Sequence, residues 1–543
     1  MLIFFYVYDT IKFGDIMETI LVGINAKYIH PNLAIRLLKK NTSYDVDIKE
    51  FTIKDDNQTI INFLSKYEII CFSCYIWNIE KIKQILPCLR GKIIILGGPE
   101  VSYNANYYLE NNLAQYVIKN EGEEAFHLLL SYLDNKGNLD DIPNLYHESG
   151  FTFDKLVDIS KTKMAYDLLD DVENKIMYIE TSRGCPYKCG YCMASLDNKV
   201  RFFDIEEIKY QIKNLQERNA KVFKFLDRTF NANKKFLELI DFIVKTHTKG
   251  QSYQFEITGD LLKPEYIDYI NKTAPKGLIR FEIGIQSTNY KTNLSVGRIQ
   301  NNELLFSNIK KIQNANIIDL HLDLIAGLPY EDYKSFEKTF NDVISLRPKE
   351  LQLGFLKLLH GTKLHKEASN YNYVYQDEAP YEIIKNDFIT KEDIKNIHIT
   401  EDTFEMYYNT GIMPNAMNVI LDNENNPFDF FFNLGKTILK PNNLENKFKQ
   451  IDDFLIEKPY YNHFHKTIIK DYLNYFNVRP KTWWNEKLDK SKRNNLIRYL
   501  HEKYNLAITL IDLYKYSLLI ELYDCYILAI YKPNNKEILT FTK

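Results

Sequence analysis

The sequence predicts an α/β protein of three parts: a doubly wound parallel sheet, a partial barrel of six strand–helix units, and a mainly helical C-terminal region that closes on a β-hairpin. Three observations predict it. Apolar strand runs alternate with helical patterns from Glu18 to Leu133. The alternation resumes at Ile176 and repeats six times up to Leu356. From about Tyr375 it stops, and Asn-, Tyr- and Lys-rich stretches of helical periodicity take over. The expected boundaries are residues 17–137 for the first domain, 138–165 for a connector, 166–374 for the barrel and 375–543 for the last domain.

The chain has 543 residues, enough for several cores. Its formal charge of −3 implies no bulk attraction to nucleic acid or anionic lipid. No apolar run reaches the length of a membrane span. Seven cysteines, several inside apolar segments, fit a reducing, cytoplasmic setting. Residues 1–16 are apolar and aromatic but lack a basic start and a small-residue cleavage site, so a signal peptide is not expected. Met17 directly precedes the first strand, and a true start there, with 1–16 a mis-called extension, is the expectation.

In the first part, strands are expected at Thr19–Ile24, Tyr44–Phe51, Glu68–Ser73, Lys92–Gly98 and Gln115–Lys119. Helices fall at Asn32–Lys40, Asn57–Lys66, Ile79–Leu89 and Glu123–Leu133, giving a sheet of the flavodoxin-like kind. Ligands of such sheets bind outside the carboxyl ends of the strands. Three exits therefore carry candidate residues: Asn25 and Tyr28 after the first strand; Gly97, Gly98, Pro99 and Glu100 after the fourth; Glu121, Gly122 and Glu123 after the fifth. Taken singly, ordinary αβ turns would account for each. Cys71-Phe-Ser-Cys74 ends a buried-looking strand and reads as core packing.

The chemistry-bearing stretch follows the connector. Ile176–Glu180 reads as a strand, and Cys185, Cys189 and Cys192 then stand at C-x3-C-x2-C spacing in a loop with Gly184, Pro186 and Gly190. Three thiolates on a short loop suit three irons of a [4Fe–4S] cube and leave the fourth iron open. Structural zinc or free thiols are the alternatives; zinc would want a fourth ligand, and the first His or Cys downstream is His247. With Tyr191 just before the third cysteine, the loop resembles that of the radical S-adenosylmethionine superfamily. The resemblance implies a cluster that binds S-adenosylmethionine and delivers the electron that yields a 5′-deoxyadenosyl radical.

Directly upstream of that loop, Gly-Gly-Pro-Glu and the Glu121–Glu124 turn resemble the cobalamin-binding domain of cobalamin-dependent radical S-adenosylmethionine proteins. The resemblance implies cobalamin beside Asn25, Tyr28, Gly97, Gly98, Pro99, Glu121, Gly122 and Glu123. The Asp-x-His-x-x-Gly motif whose histidine ligates cobalt elsewhere is absent, and His30 does not stand in that pattern. A domain that keeps the fold without the cofactor is the competing reading.

The barrel strands are expected at Ile176–Thr181, Val222–Leu226, Tyr253–Thr258, Leu278–Ile285, Ile317–Ile325 and Glu350–Leu356, with helices such as Ile205–Gln216 and Lys234–Val244 between them. Active sites of such barrels lie at the strands' C-terminal ends. There stands Glu256, and Gln286, Arg298 and Asp323 are spaced like the S-adenosylmethionine-binding set of the anaerobic coproporphyrinogen oxidase-like branch. The resemblance implies that Gln286 and Asp323 hold the ribose, Arg298 the carboxylate, and Glu256, with Tyr191, other groups of the ligand. Each could equally be an interior polar residue satisfied by its neighbours.

In the last third, helices are expected at Asn446–Leu455 and His465–Tyr475, a loop at Asp422–Pro427, and a hairpin from Cys525–Tyr531 and Glu537–Phe541. Trp483-Trp484 reads as core or a domain contact, and His463-Phe-His465 as an incidental pair. The region resembles an uncharacterised C-terminal extension of one branch of the family and is expected to cap the barrel mouth. The resemblance implies a radical S-adenosylmethionine enzyme with cobalamin that methylates an unactivated carbon of a small molecule or peptide, fed by flavodoxin or ferredoxin in an anaerobic cytoplasm. No catalytic base is assigned. A non-methylating cyclase or rearrangement enzyme, or a tRNA-modifying enzyme, is the alternative, though no basic stripe marks RNA binding.

Overall fold

The computed structural model describes residues 18–438, 443–484, 488–533 and 535–543; the expected extension and the start at Met17 lie outside them. It divides into two compact units, residues 1–332 with 354–390, and 333–353 with 391–543. The expected sheet domain and most of the expected barrel thus share one unit, and the second unit starts inside the barrel span, at Tyr333.

The first unit opens with strands β1 (Thr19–Asn25), β2 (Asp47–Thr52), β3 (Ile69–Ser73), β4 (Ile93–Gly97) and β5 (Tyr116–Ile118). They pair in parallel in the order β2-β1-β3-β4-β5. That is the flavodoxin-like order, whose ligand crevice lies where neighbouring crossovers part, at the exits of β1 and β3. Every residue of β1 and β3 is buried, as a strand covered on both faces requires. Helices α1 (Leu33–Lys40), α2 (Asn57–Leu64) and α3 (Ile79–Ile85) supply the cover; Asn32 and Asp56 cap the first two through their side-chain oxygens. Pro87 lies in the 3-10 turn Leu86–Leu89 that follows α3, so that helix stops short of the expected Leu89. A short helix, α4 (Ala105–Glu110), was not anticipated, while α5 (Glu123–Leu133) spans the expected residues. Within the expected connector, β6 (Leu145–His147) extends the sheet antiparallel to β5, and β7 (Gly150–Phe151) pairs antiparallel with β6.

The second sheet of this unit uses β8 (Ile176–Ile179), then, past a two-stranded ribbon of β9 (Ser182–Arg183) and β10 (Arg201–Phe202), β11 (Val222–Phe225), β12 (Ser252–Ile257), β13 (Ile279–Gln286) and β14 (Asp319–Ala326). They lie side by side, all parallel, in the order β8-β11-β12-β13-β14. The sixth strand, β15 (Glu350–Phe355), ends in Gly354–Phe355 of this unit, and Leu356 continues it by donating its N–H to Ala326 O at 2.9 Å. Burial alternates strictly along β12 and β13. The fully buried set includes Phe225, Phe255 and Phe281; Phe225 stacks on Phe255 at 4.4 Å. The alternate set, Lys224, Glu256 and Glu282 among it, is half-buried and polar.

The second unit is helical, as expected, from Tyr333–Ile344 and Lys391–Phe404 to Leu510–Tyr516. Phe340 meets Phe404 and Phe428 edge-on in its core. Trp483 is buried against Tyr472 and donates its indole N–H to Asp452 at 2.9 Å. His465 is held by the same Asp452, while His463 faces out. The chain ends in a three-stranded antiparallel sheet, Ser517–Glu521, Cys525–Lys532 and Asn535–Thr542, one strand more than the expected hairpin. No helix of the described residues is long and apolar enough to cross a membrane.

Candidate functional site

The cysteine loop leaves β8 under tight control. Asp227, at the end of β11, accepts from Thr181 Oγ1 at 2.6 Å, Thr181 N at 3.1 Å and Ser182 Oγ at 2.5 Å. Burial pushes the Asp227 carboxyl up to about 6 despite these bonds. Gly184 takes φ +89°, and a Cβ there would lie 2.7 Å from Lys199 O, so only glycine fits. Cys185 N then bonds Asp197 O at 2.9 Å, and Cys192 N bonds Cys189 O at 3.0 Å, which curls the three cysteines round one turn.

Cys185 and Cys189 are buried, and Cys192 is half-buried. Burial raises the Cys192 thiol, and the neighbouring Cys189 and Cys185 raise it further. Among the described residues no three His, Cys, Asp or Glu side chains converge on a single ion. A [4Fe–4S] cube needs no such convergence, because each thiolate binds a different iron. The residues present therefore fit a cluster better than a single metal ion.

The expected S-adenosylmethionine set lies on the next strands. Asp323 on β14 stands opposite Gly284 of β13. Its Oδ1 is 3.0 Å from His321 Nε2, and burial raises its carboxyl. Gln286 ends β13 after a bulge, at φ +66°, and its Oε1 is buried without a hydrogen-bond partner. A Cβ on Gly284 would collide with the Gln286 amide at 2.2 Å, so the missing side chain makes that amide's room. Arg298 donates to Gly284 O and, at 3.0 Å, to Gln300. Burial works against its charge, but Tyr191 and Cys189 beside it hold it above the usual value. Glu256 on β12 is 3.5 Å from Arg228, and burial raises its carboxyl.

A cavity of about 1100 Å³ opens over these strand ends. That exceeds the volume typical of a drug-sized ligand, about 300–1,000 Å³. Tyr191, Cys192 and Glu256 line it from the barrel, whereas Gln286, Arg298 and Asp323 are not among its lining residues. From the first sheet it is lined by Asn25, Gly97, Gly98, Pro99, Glu121, Gly122 and Glu123. Gly98, at φ +118°, would press a Cβ to 2.4 Å from Cys74 O.

Tyr28 is the exception among the expected cobalamin residues. The turn after β1 carries it outward, 60% exposed, where its hydroxyl donates to Asp171 at 2.9 Å and Lys175 lies over its ring. Glu121 and Glu123 line the cavity with carboxylates already taken: Glu121 by Arg201, Arg183 and Val157 N, Glu123 by Arg183 at 2.6 Å. Asn25 donates to Glu50 at 2.9 Å.

Sequence reasoning missed Tyr178, whose hydroxyl meets His30 Nδ1 at 2.7 Å, and Lys224, 3.1 Å from Glu282. It missed Arg228 and the stacked Tyr75–Trp77 pair as well. A signal existed: polar residues at every second position of otherwise apolar barrel strands mark the inner face.

Three family models match the chain: the B12 binding domain over residues 19–130, the Radical SAM superfamily over 179–343, and a protein of unknown function, DUF4080, over 369–519. The cobalamin-dependent radical SAM methyltransferase TokK of Streptomyces tokunonensis is 21% identical over 381 residues, 64% of this chain and 54% of that protein. The chain spans about half the length of the curated relatives it matches. The structure of the cobalamin-dependent S-adenosylmethionine radical enzyme OxsB, with aqua-cobalamin and S-adenosylmethionine bound, superposes with a TM-score of 0.58 at 16% identity, covering 90% of this chain and 76% of that one. The radical S-adenosylmethionine methyltransferase TsrM from Kitasatospora setae gives 0.55 at 14% identity, covering 65% and 78%. The fold is thus that of these enzymes, and the matched domains imply a [4Fe–4S] cluster, S-adenosylmethionine and cobalamin as the cofactors.

Proposed function

We propose that this chain, which joins a B12 binding domain to a radical SAM domain, is a cobalamin-dependent radical S-adenosylmethionine enzyme that methylates an unactivated carbon. One observation carries the reading: Cys192 and Tyr191 of the cysteine loop and Gly97–Gly98 of the first sheet open into a single cavity. Once bound, the cofactors supply an electron, a 5′-deoxyadenosyl radical and a methyl group.

The chain's own residues bind and orient. Cys185, Cys189 and Cys192 present three thiolates and leave room for a fourth, non-protein ligand. The Gln286 Oε1 has no protein partner and is an acceptor for a ribose hydroxyl, with Asp323 beside it as a second. Arg298, fixed by Gly284 O and Gln300, sets a positive charge against the cysteine loop where a carboxylate can pair with it. Gly97, Gly98 and Gly122 let a large flat ligand approach backbone at the strand exits. Asn25 and Pro99 wall the same end. The Glu121 and Glu123 ion pairs hold that end against the cysteine loop rather than touching a ligand. The substrate is a small molecule or peptide, the electron comes from flavodoxin or ferredoxin, and the setting is an anaerobic cytoplasm.

The test is anaerobic reconstitution with iron, sulfide and hydroxocobalamin, followed by metal analysis. About four irons and one cobalt per chain support the reading. Iron without cobalt redirects it to a non-methylating radical enzyme.

A further inference from the structure

The cysteine loop has an outer side as well as the side that faces the cavity. There, Gly190 N donates to Val296 O at 2.7 Å, and Leu364 N donates to Gly190 O at 2.8 Å. A Cβ on Gly297 would lie 3.0 Å from Lys188 O. Segments 294–299 and 363–364 therefore pack directly against Lys188 and Gly190, the residues on either side of the buried Cys189.

The surface of that layer is unusual. Ile299 is 82% exposed and Leu294 57% exposed. Lys188 and Lys363 are exposed beside them. Lys188 makes no ion pair among the described residues, and Lys363 has only Glu367, at 3.9 Å. The acidic groups nearby are that Glu367, exposed Glu303, and Asp260, which accepts from Asn301 N at 2.9 Å. Two bare apolar side chains with two exposed lysines, Lys188 without an ion pair among the described residues and Lys363 with only the long one to Glu367, mark a contact surface.

The geometry points to this face as the docking surface for an acidic one-electron carrier protein. The inference rests on the proposed cluster at Cys185, Cys189 and Cys192. From the cavity side, cofactors and substrate stand between a partner and the loop. From the outer side, the exposed Lys188 is the residue next to Cys189. One electron leaves the carrier and enters the cluster, and no proton or group moves with it. The lysines attract the carrier's carboxylates and the apolar pair seats it, in the small, transient kind of interface typical of electron-transfer partners.

The test is anaerobic stopped-flow reduction of the reconstituted protein by a reduced, acidic flavodoxin, followed by the cluster's visible absorbance. Photoreduced 5-deazariboflavin, which needs no docking, is the reference. Lys188→Glu with Lys363→Glu should slow reduction by flavodoxin about tenfold and flatten its dependence on salt, with the deazaflavin rate unchanged. Ile299→Glu, outside the cysteine loop, should slow it as well and decides the matter if the double variant assembles poorly. Lys249→Glu, in the turn before β12 at the opposite strand ends, should change nothing. Equal flavodoxin rates in the wild type and Ile299→Glu, or equal slowing by Lys249→Glu, would overturn the docking surface. A wild type that takes up no iron overturns the cluster reading instead.

Discussion

Glu121 and Arg201 meet as a two-pronged pair, Oε2 to Nη1 and Oε1 to Nη2, each at 2.9 Å. Glu121 stands at the exit of β5, and Arg201 on β10, which pairs with the strand that enters the cysteine loop. Burial alone would raise the Glu121 carboxyl; Arg201 and Arg183 hold it below the ordinary carboxylate range. Glu121→Gln removes the carboxylate that two largely buried guanidiniums share, leaving Arg183 with Glu123 and Glu180 and Arg201 with Asp197. It should lower the stability of the apo chain by about 2 kcal/mol, and Arg201→Lys, which keeps the charge but loses the fork, by less. Urea unfolding checks both.

Each cysteine of the triad should be needed separately. Cys185→Ala, Cys189→Ala and Cys192→Ala should each leave less than about one iron per chain after reconstitution and abolish reductive cleavage of S-adenosylmethionine. Cleavage retained in any one of them, measured as 5′-deoxyadenosine, would remove that residue from the ligand set.

Asp323→Ala and Gln286→Ala should each weaken S-adenosylmethionine binding to the reconstituted protein about tenfold, the loss of roughly one good hydrogen bond to a ribose hydroxyl. Equilibrium dialysis with labelled ligand reads this without turnover. Unchanged affinity in both would move the ribose elsewhere.

Asp227 gives a pH test with a definite sign. Its folded pKa, about 6, lies above the ordinary 3.8, so the folded state binds the extra proton. Its contribution is therefore full below about pH 4 and is lost as pH rises through 6. Relative to Asp227→Asn, the wild type should lose about 2 kcal/mol between those limits. A difference in urea midpoints that stays flat from pH 4 to 6.5 contradicts it.

Gly98→Ala should abolish cobalt retention and lower stability by a few kcal/mol, since its Cβ would strike Cys74 O and φ +118° strains any other residue. Absorbance of the purified protein and thermal unfolding check the two arms.

Long periodic elements were legible in the sequence, and short ones were not. All six barrel strands and α5 fall within a residue or two of their expected spans, because each carries a regular apolar pattern between turn residues. Helix α4 and strands β6 and β7 escaped because they are six, three and two residues long, below what periodicity can register. The strand expected from Tyr44 starts at Asp47, since only from there does β1 supply a pairing partner. At the site, spacing marked the cysteines and the glycine exits as candidates, because their constraints are local. The outward course of Tyr28 was not legible, because the direction of a turn side chain depends on the Asp171 loop, over a hundred residues away. Arg201, 80 residues from Glu121, was invisible for the same reason.

The second unit is built from two separated stretches, Tyr333–Leu353 and everything after Lys391. During synthesis the helix Tyr333–Ile344 leaves the ribosome long before its partners exist. Phe340 must wait, uncovered, until Phe404 and Phe428 have been translated. Chains are made at about 5–20 residues per second, so the exposure lasts seconds. For that interval the nascent chain carries an amphipathic helix whose apolar face, Phe336, Phe340, Val343 and Ile344, has yet to meet its partners.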